Sequence, residues 1–134
     1  MLNNEIITRF SYNWNNKLDC KIFFTTIRLH NPKKYWIGAI HRIFLKSEDL
    51  GTAKIVQVKN IRLEEIDSFT ASLDTGYNAA QTRGLFRKMY SLEPTENPLV
   101  DVSLMSWVNR NTTKKEDKTD SVKKELAIMA FETL

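Results

Sequence analysis

The chain has few of the residues that mark several common classes of protein. Its 134 residues include one cysteine, two histidines and four glycines. A single cysteine, Cys20, excludes a disulfide framework and a cysteine-rich zinc site, and it favours a reducing compartment. The glycines are too scattered for a phosphate-binding loop, and two histidines with one cysteine give no zinc spacing. We therefore expect no metal site and no bound cofactor.

Long apolar runs are also missing. No stretch approaches the roughly 20 residues that are needed to cross a bilayer. The segment from Met1 to Ile6 lacks the basic and apolar parts of a signal peptide. These features predict a cytoplasmic protein without membrane association. With 42% hydrophobic and 10% aromatic residues, the chain has enough apolar side chains for one folded domain.

The net charge of +4 is unevenly distributed along the chain. Residues 1–46 hold eight basic and two acidic residues, whereas residues 47–108 hold six and nine, and residues 109–134 hold six and five. A basic N-terminal third suits a polyanion-binding surface, because phosphate contacts supply most of the sequence-independent affinity for nucleic acid. Lysines that only keep a surface soluble would give the same composition, so charge alone leaves both interpretations open.

The first half of the chain has the composition of β-strands. The segments Ile6 to Tyr12 and Ile22 to Leu29 are rich in β-branched and aromatic residues, and asparagines at 13, 15 and 16 mark a turn between them. Further strands are expected at 39–46 and 50–60. The short turns predict a curled antiparallel sheet. Alternation within the second strand places Phe24, Thr26 and Arg28 on one face.

The second half begins with helical spacing. Leu63 to Leu73 is predicted to be one helix. Asn78 and Gln81 form the pattern of a capping box for a second helix that ends near Tyr90. Leu99 to Val108 is the expected closing strand. The pattern therefore predicts an α+β domain over residues 1–108.

The C-terminal part of the chain differs in composition from this domain. Residues 109–121 are polar and charged, which is typical of a linker. Val122, Leu126 and Met129 then recur at i, i+4 and i+7, so residues 122–134 are predicted to form an amphipathic helix. Such a helix either docks on its own domain or binds a protein partner.

Several segments resemble one known family. Phe24 to Arg28 resembles the threonine-isoleucine-arginine signature of the ASCH domain family (activating signal cointegrator 1 homology), a branch of the PUA-like fold. Further segments follow in the order of that family, namely Tyr35–Gly38, Leu50–Val56, Ile61–Ile66, Leu73–Tyr77, Leu85–Tyr90 and Val100–Trp107. The resemblance covers roughly residues 6–108. It implies a small β-barrel flanked by two helices, with a cleft beside the barrel and a link to RNA. Small proteins of this appearance are frequent among bacteriophage and gut-bacterial genes.

The resemblance also implies where RNA or a modified nucleoside would bind. The cleft would be lined by Thr26 and Arg28, with Asp74 near its rim, and Arg28 offers five fixed donors for a phosphate or a base edge. Basic and aromatic residues of the N-terminal third would complete a nucleic-acid-binding surface; the set is Arg28, Lys21, Lys33, Lys34, Tyr35, Trp36 and Arg42. Tyr77 is a further candidate for stacking on an unpaired base. The alternative is structural: Arg28 pairs with Asp74 or another acid and holds a helix to the barrel.

One branch of the family consists of small amidohydrolases that deacetylate N4-acetylcytidine with a lysine, a threonine nucleophile and a glutamate. Thr26 matches the threonine, and Asp74 falls near the glutamate. The position of the lysine is Phe23 in this chain, and Lys21 lies two residues earlier on the same strand face, displaced by about 7 Å. A threonine hydroxyl is a poor nucleophile without a nearby base. Catalysis by Thr26, Asp74 and Lys21 is therefore the second hypothesis, and whether the protein is an enzyme stays open.

A third hypothesis is a phage-type interaction module, in which the domain presents a surface and residues 122–134 engage a protein partner.

Overall fold

The computed structural model describes residues 5–111, which form a mixed α+β domain around one curled five-stranded sheet. The sheet is a half-barrel with a few helices packed against it, consistent with a small β-barrel domain. The strands are β1 (Ile6–Phe10), β2 (Phe23–Leu29), β3 (Ile40–Leu45), β4 (Glu48–Arg62) and β5 (Leu99–Arg110). Their order in the sheet is β1-β3-β4-β5-β2. The two edge strands are therefore β1 and β2.

The pairing of the strands differs from the expected succession. β3, β4 and β5 are antiparallel neighbours, but β2 pairs with β5 instead of β3. β1 lies parallel to β3, with Phe10 opposite Leu45, so the prediction of a purely antiparallel sheet was wrong. Strand composition reports how well a segment fits a pleated surface and carries no information about its partner. The parallel pair brings the C-terminal ends of β1 and β3 to the same edge of the sheet.

The helical region is divided where a single helix was predicted. A short 3-10 turn covers Leu63–Glu65, and α1 begins afterwards at Ser68–Asp74. The break occurs because the Asp67 carboxylate accepts a hydrogen bond from the Thr70 amide and so caps α1. α2 covers Ala79–Met89, and the predicted capping box of Asn78 and Gln81 is confirmed by its two hydrogen bonds.

The sheet buries apolar side chains on both faces. One cluster joins Phe24 of β2 to residues of all the other strands, among them Ile43, Ile55 and Met105. The other cluster packs Ile27 of β2 and the neighbouring face of β5 against α1 and α2. β2 therefore contributes alternate side chains to two cores, as its sequence alternation predicts. The cavity described below lies where β2 meets α2.

The closing strand is longer than predicted. β5 continues to Arg110, two residues into the expected linker, and the Asn111 amide donates to the carbonyl of Leu50. The remainder of the predicted linker and the amphipathic helix at 122–134 lie outside the described residues, so their partner-binding role stays a prediction. In residues 5–111, no helix has both the length and the apolar character to cross a membrane.

Candidate functional site

A cavity of about 350 Å³ lies at the seam between the two edge strands of the half-barrel. β1 and the turn after it form one wall, β2 forms the floor, and α2 forms the opposite wall. The lining residues are Arg9, Phe10, Ser11, Trp14, Lys17, Thr26, Ile27, Arg28, Lys46, Asp74, Thr75, Thr82, Leu85, Phe86, Met89 and Tyr90. Thr26, Arg28 and Asp74, which the sequence predicts at one cleft, are thus brought together in one cavity. Their role in binding stays a prediction.

Arg28 lies in the part of the cavity that β2 forms, and its side chain contacts neutral groups. Its Nε donates to the Thr26 hydroxyl at 2.9 Å, and an Nη donates to the carbonyl of Arg9 at 3.1 Å. The guanidinium carbon lies 4.6 Å from the centre of the Phe10 ring, within cation–π range. Within residues 5–111, Arg28 forms no ion pair. The alternative in which Arg28 pairs with Asp74 is therefore wrong.

Asp74 is instead neutralised by a lysine that the sequence did not indicate. The Lys17 ammonium donates to Asp74 Oδ1 at 2.7 Å, and the Thr25 hydroxyl donates to the same oxygen at 2.8 Å. Both charged side chains are buried, with 6% and 7% exposure. Burial lowers the pKa of Lys17 below its ordinary value, and the Asp74 carboxylate acts in the opposite direction. A buried amine of this kind is closer to its neutral form than a surface lysine.

The charge that lines the cavity is mostly positive. Four basic side chains, Arg9, Lys17, Arg28 and Lys46, line it together with one acidic side chain, Asp74. Arg9 and Lys46 are exposed and form no ion pair among residues 5–111. The parallel pairing of β1 with β3 places them close together, because the Lys46 amide donates to the Phe10 carbonyl at 2.7 Å. The arrangement suits an anionic ligand, since the one carboxylate is already paired.

Apolar and hydroxyl groups form the remaining walls. Phe86 and Tyr90 of α2 lie one turn apart with ring centroids 4.5 Å from each other, and Trp14 lines the side of β1. The hydroxyls of Thr75 and Thr82 contact each other at 2.7 Å beside these rings. A cavity with apolar walls and a few convergent polar groups is typical of a small-molecule site.

The other predicted site residues do not line this cavity. Lys21 is half-buried just before β2, and Lys33 is exposed in the β2–β3 connection. The Lys34 ammonium donates to the carbonyl of Ile7 at 3.2 Å, and burial lowers its pKa. Arg42 is paired with two carboxylates, Glu5 and Asp49, each at 2.9 Å. These contacts leave Arg28 as the one predicted cation that faces the cavity.

The two aromatic residues of the predicted surface also differ from the expectation. Tyr35 is buried and stacks on His41, with ring centroids 5.6 Å apart, so its ring belongs to the core. Trp36 is 48% exposed but lies outside the cavity. The aromatic side chains that line the cavity are instead Phe10, Trp14, Phe86 and Tyr90, of which Trp14 lies in a segment that the sequence predicts only as a turn. The asparagines around Trp14 indicated that turn but not the direction of the indole.

The described residues contain no cluster suited to a metal ion. Across 5–111, no group of three or more histidine, cysteine, aspartate or glutamate side chains is arranged to hold one. His30 and Asp101 contact each other at 2.9 Å, and Asn60 and the Asn31 amide complete the bonds of that carboxylate. This second polar cluster is saturated by its own members.

Comparison with known proteins identifies the fold only. No protein-family model matches the sequence, and no curated protein matches it. The structure is similar to the crystal structure of protein EF3133 from Enterococcus faecalis V583, described with the family-model DUF984. The TM-score is 0.57 at 11% sequence identity, and the match covers 87% of this chain and 89% of the other. At this identity the likeness concerns the arrangement of the strands and helices, and the match extends over most of both chains.

Proposed function

We propose that this chain is an ASCH-type, PUA-like domain that binds RNA or a modified nucleotide in the seam cavity. The observation that carries the proposal is the charge state of the cavity: Arg28, Arg9 and Lys46 are unpaired by carboxylates in the described residues, while Lys17 neutralises Asp74. An uncompensated cluster of cations beside aromatic walls suits a ligand that has both a phosphate and a flat ring.

The size and walls of the cavity support the same class of ligand. A volume of about 350 Å³ lies near the lower end of the range for small-molecule sites and suits a single nucleotide. Arg9 and Lys46 at the open edge would contact phosphate, which positions a nucleic acid without specifying its sequence. The base would lie deeper, against the rings of Trp14 and Tyr90, with the Arg28 guanidinium available to its edge.

Assignment to the ASCH branch is part of the proposal. The segments that resemble the family run from β2 to β5, and the half-barrel with two helices suits a PUA-like domain. The candidate ligand follows from this assignment together with the cavity chemistry.

Isothermal titration calorimetry with nucleosides, nucleoside 5′-monophosphates and single-stranded RNA tests the proposal. We expect phosphate-bearing ligands to bind, and their affinity to fall between roughly 50 and 200 mM salt. Arg28→Gln should weaken binding about tenfold or more, because hydrogen bonds to charged groups contribute about 1.5–3 kcal/mol. Lys33→Gln is the matched control: it removes the same charge from an exposed site outside the cavity and should leave affinity unchanged. Absence of binding to every ligand in the series would overturn the proposal.

A second candidate function is hydrolysis of an acylated nucleoside such as N4-acetylcytidine. The observation that favours it is Lys17, a buried amine with a lowered pKa that lines the same cavity as Thr26. The Thr26 oxygen accepts from Arg28, so its proton remains available to a base. In this scheme Lys17 first loses a proton from its pair with Asp74, and the neutral amine then takes the Thr26 proton as the oxygen attacks the acetyl carbonyl. The exocyclic 4-amino group of cytidine then leaves with the proton that Lys17 took, and water releases acetate from the threonine ester.

Release of cytidine and acetate from N4-acetylcytidine, followed by chromatography, tests this second function. Thr26→Val should abolish turnover while the nucleotide still binds, and Thr26→Ser should retain part of the rate because it keeps a hydroxyl. No turnover by the wild-type protein at high enzyme concentration would exclude the hydrolase and leave the binding function in place.

A further inference from the structure

We propose that the seam cavity has a second base-binding subsite formed by Tyr12, Trp14 and Tyr77, so that its ligand is single-stranded oligonucleotide and not only a free nucleotide. This inference rests on the proposed function and specifies the substrate class of the same site.

The three aromatic side chains form a continuous row whose central member, Trp14, lies in the cavity wall. Trp14 lines the cavity, and Tyr12 packs edge-to-face on it with ring centroids 4.7 Å apart. Tyr77 meets Trp14 in the same way at 6.1 Å. Tyr12 and Tyr77 are 57% and 47% exposed. The row therefore extends from the ligand cavity onto the open surface.

Contacts between two loops hold this row in place without a ligand. The Asn15 side chain donates to the carbonyls of Ser72 and Leu73 at the end of α1. Gly76 has a φ of +84°, and a Cβ at that position would lie 3.1 Å from the Asn15 amide oxygen, so the turn that carries Tyr77 packs closely on the Trp14 loop. The Tyr77 amide also donates to the Thr75 hydroxyl in the cavity wall. A preorganised row costs less ordering entropy when a base binds.

The chemistry around the row favours a nucleic-acid base over an apolar peptide as its occupant. The cavity that Trp14 borders contains Arg9 and Lys46, which form no ion pair within residues 5–111 and which an apolar segment would leave without counter-charges. A nucleotide in the cavity would continue through its phosphate past these cations, and the next base would reach the row. Base–aromatic stacking accepts every base, because each has a π face.

A length series separates the two subsites. Binding of a nucleoside 5′-monophosphate, a dinucleotide and a tetranucleotide of single-stranded RNA is measured by calorimetry at one salt concentration. We expect the dinucleotide to bind about 5- to 150-fold more tightly than the monophosphate, the range that one stacked base provides. The double variant Tyr12→Ala/Tyr77→Ala should lose this gain and keep the affinity for the monophosphate. Tyr12→Phe/Tyr77→Phe should retain the gain, since phenylalanine keeps the ring.

The control is Trp36→Ala, which removes a comparably exposed aromatic ring that lies outside the cavity. It should change neither affinity. If the monophosphate binds but the dinucleotide shows no gain, or if the gain survives the double alanine variant, the second subsite is overturned and the nucleotide-binding function stands. If neither the monophosphate nor any oligonucleotide binds, both are overturned.

Discussion

The Arg28 guanidinium joins the two edge strands of the half-barrel by donating to the Thr26 hydroxyl within β2 and to the Arg9 carbonyl in β1. β1 and β2 share no ladder of backbone hydrogen bonds. An open edge leaves backbone groups unpaired, and Arg28 satisfies one of them while its remaining N–H groups are available to the cavity. The Arg28 side chain therefore connects β1 to β2 and also supplies positive charge to the candidate site.

The first prediction concerns these two roles of Arg28. Arg28→Lys and Arg28→Gln should both lower the free energy of unfolding by about 1–2 kcal/mol, because each loses hydrogen bonds that only the guanidinium fork can make together. The two variants should differ in nucleotide affinity: Arg28→Lys should bind more tightly than Arg28→Gln, since lysine retains a point charge and glutamine does not. Urea unfolding and calorimetry on the same preparations measure the two effects. Equal stability of Arg28→Lys and wild type would show that the seam does not depend on this residue.

The second prediction concerns the buried Lys17–Asp74 pair. Lys17→Met should destabilise the protein by about 3–5 kcal/mol, because among the described residues it leaves the buried Asp74 carboxylate with only the Thr25 hydroxyl as its partner. The double variant Lys17→Met/Asp74→Asn should recover much of this loss, since an amide is neutral and can still accept from Thr25. Thr25→Val, which removes one hydrogen bond to the carboxylate, should cost about 1.5–3 kcal/mol. Additive effects of Lys17→Met and Asp74→Asn in urea unfolding would contradict the coupling.

The sequence predicts the positions of the strands and helices along the chain better than it predicts which strands pair in the sheet. All five strands and α2 were located to within a few residues, because β-branched composition and a capping box are local signals. The parallel position of β1 and the pairing of β2 with β5 depend on contacts between distant segments. The break before α1 was missed because Asp67, its N-cap, lies inside an otherwise helical pattern.

The same distinction applies to the candidate site. Thr26, Arg28 and Asp74 were placed together through the family resemblance, and the cavity contains all three. The cations that accompany them are Arg9, Lys17 and Lys46 instead of the predicted Lys21, Lys33, Lys34 and Arg42. The charge distribution identified the basic N-terminal third, but it did not indicate the parallel pairing of β1 with β3, which brings Arg9 and Lys46 to the cavity.

The third prediction concerns pH and the buried side chain of His41. Its Nε2 lies 2.8 Å from the Lys34 carbonyl and its Nδ1 lies 2.7 Å from the Thr8 hydroxyl, so Nε2 donates and Nδ1 accepts in the neutral ring. Burial lowers the pKa of His41 below 6.5. Between the folded pKa and pH 6.5, His41 is therefore protonated in the unfolded chain and neutral in the folded chain. The contribution of His41 to the free energy of unfolding should be greatest above pH 6.5. It should decrease as the pH falls toward the folded pKa, by up to about 1.4 kcal/mol per pH unit.

Urea unfolding between pH 7.5 and 5.5 measures this dependence. His41→Gln should be less stable at pH 7.5 but show a flatter decrease on acidification. Parallel curves for the wild type and His41→Gln over this interval would assign the pH dependence to other groups.

The fourth prediction compares two glycines that have opposite surroundings. Gly84 lies on the exposed side of α2, and a Cβ there would meet no atom within 4 Å, so Gly84→Ala should raise the free energy of unfolding by about 0.5–1 kcal/mol. Gly51 has a φ of +120°, and its Cβ would lie 1.9 Å from the carbonyl oxygen of Asn109 in β5. Gly51→Ala must therefore displace the β4–β5 pairing, and we expect it to lower the unfolding midpoint in urea strongly. A Gly51→Ala variant with wild-type stability would contradict the register that places Gly51 against the end of β5.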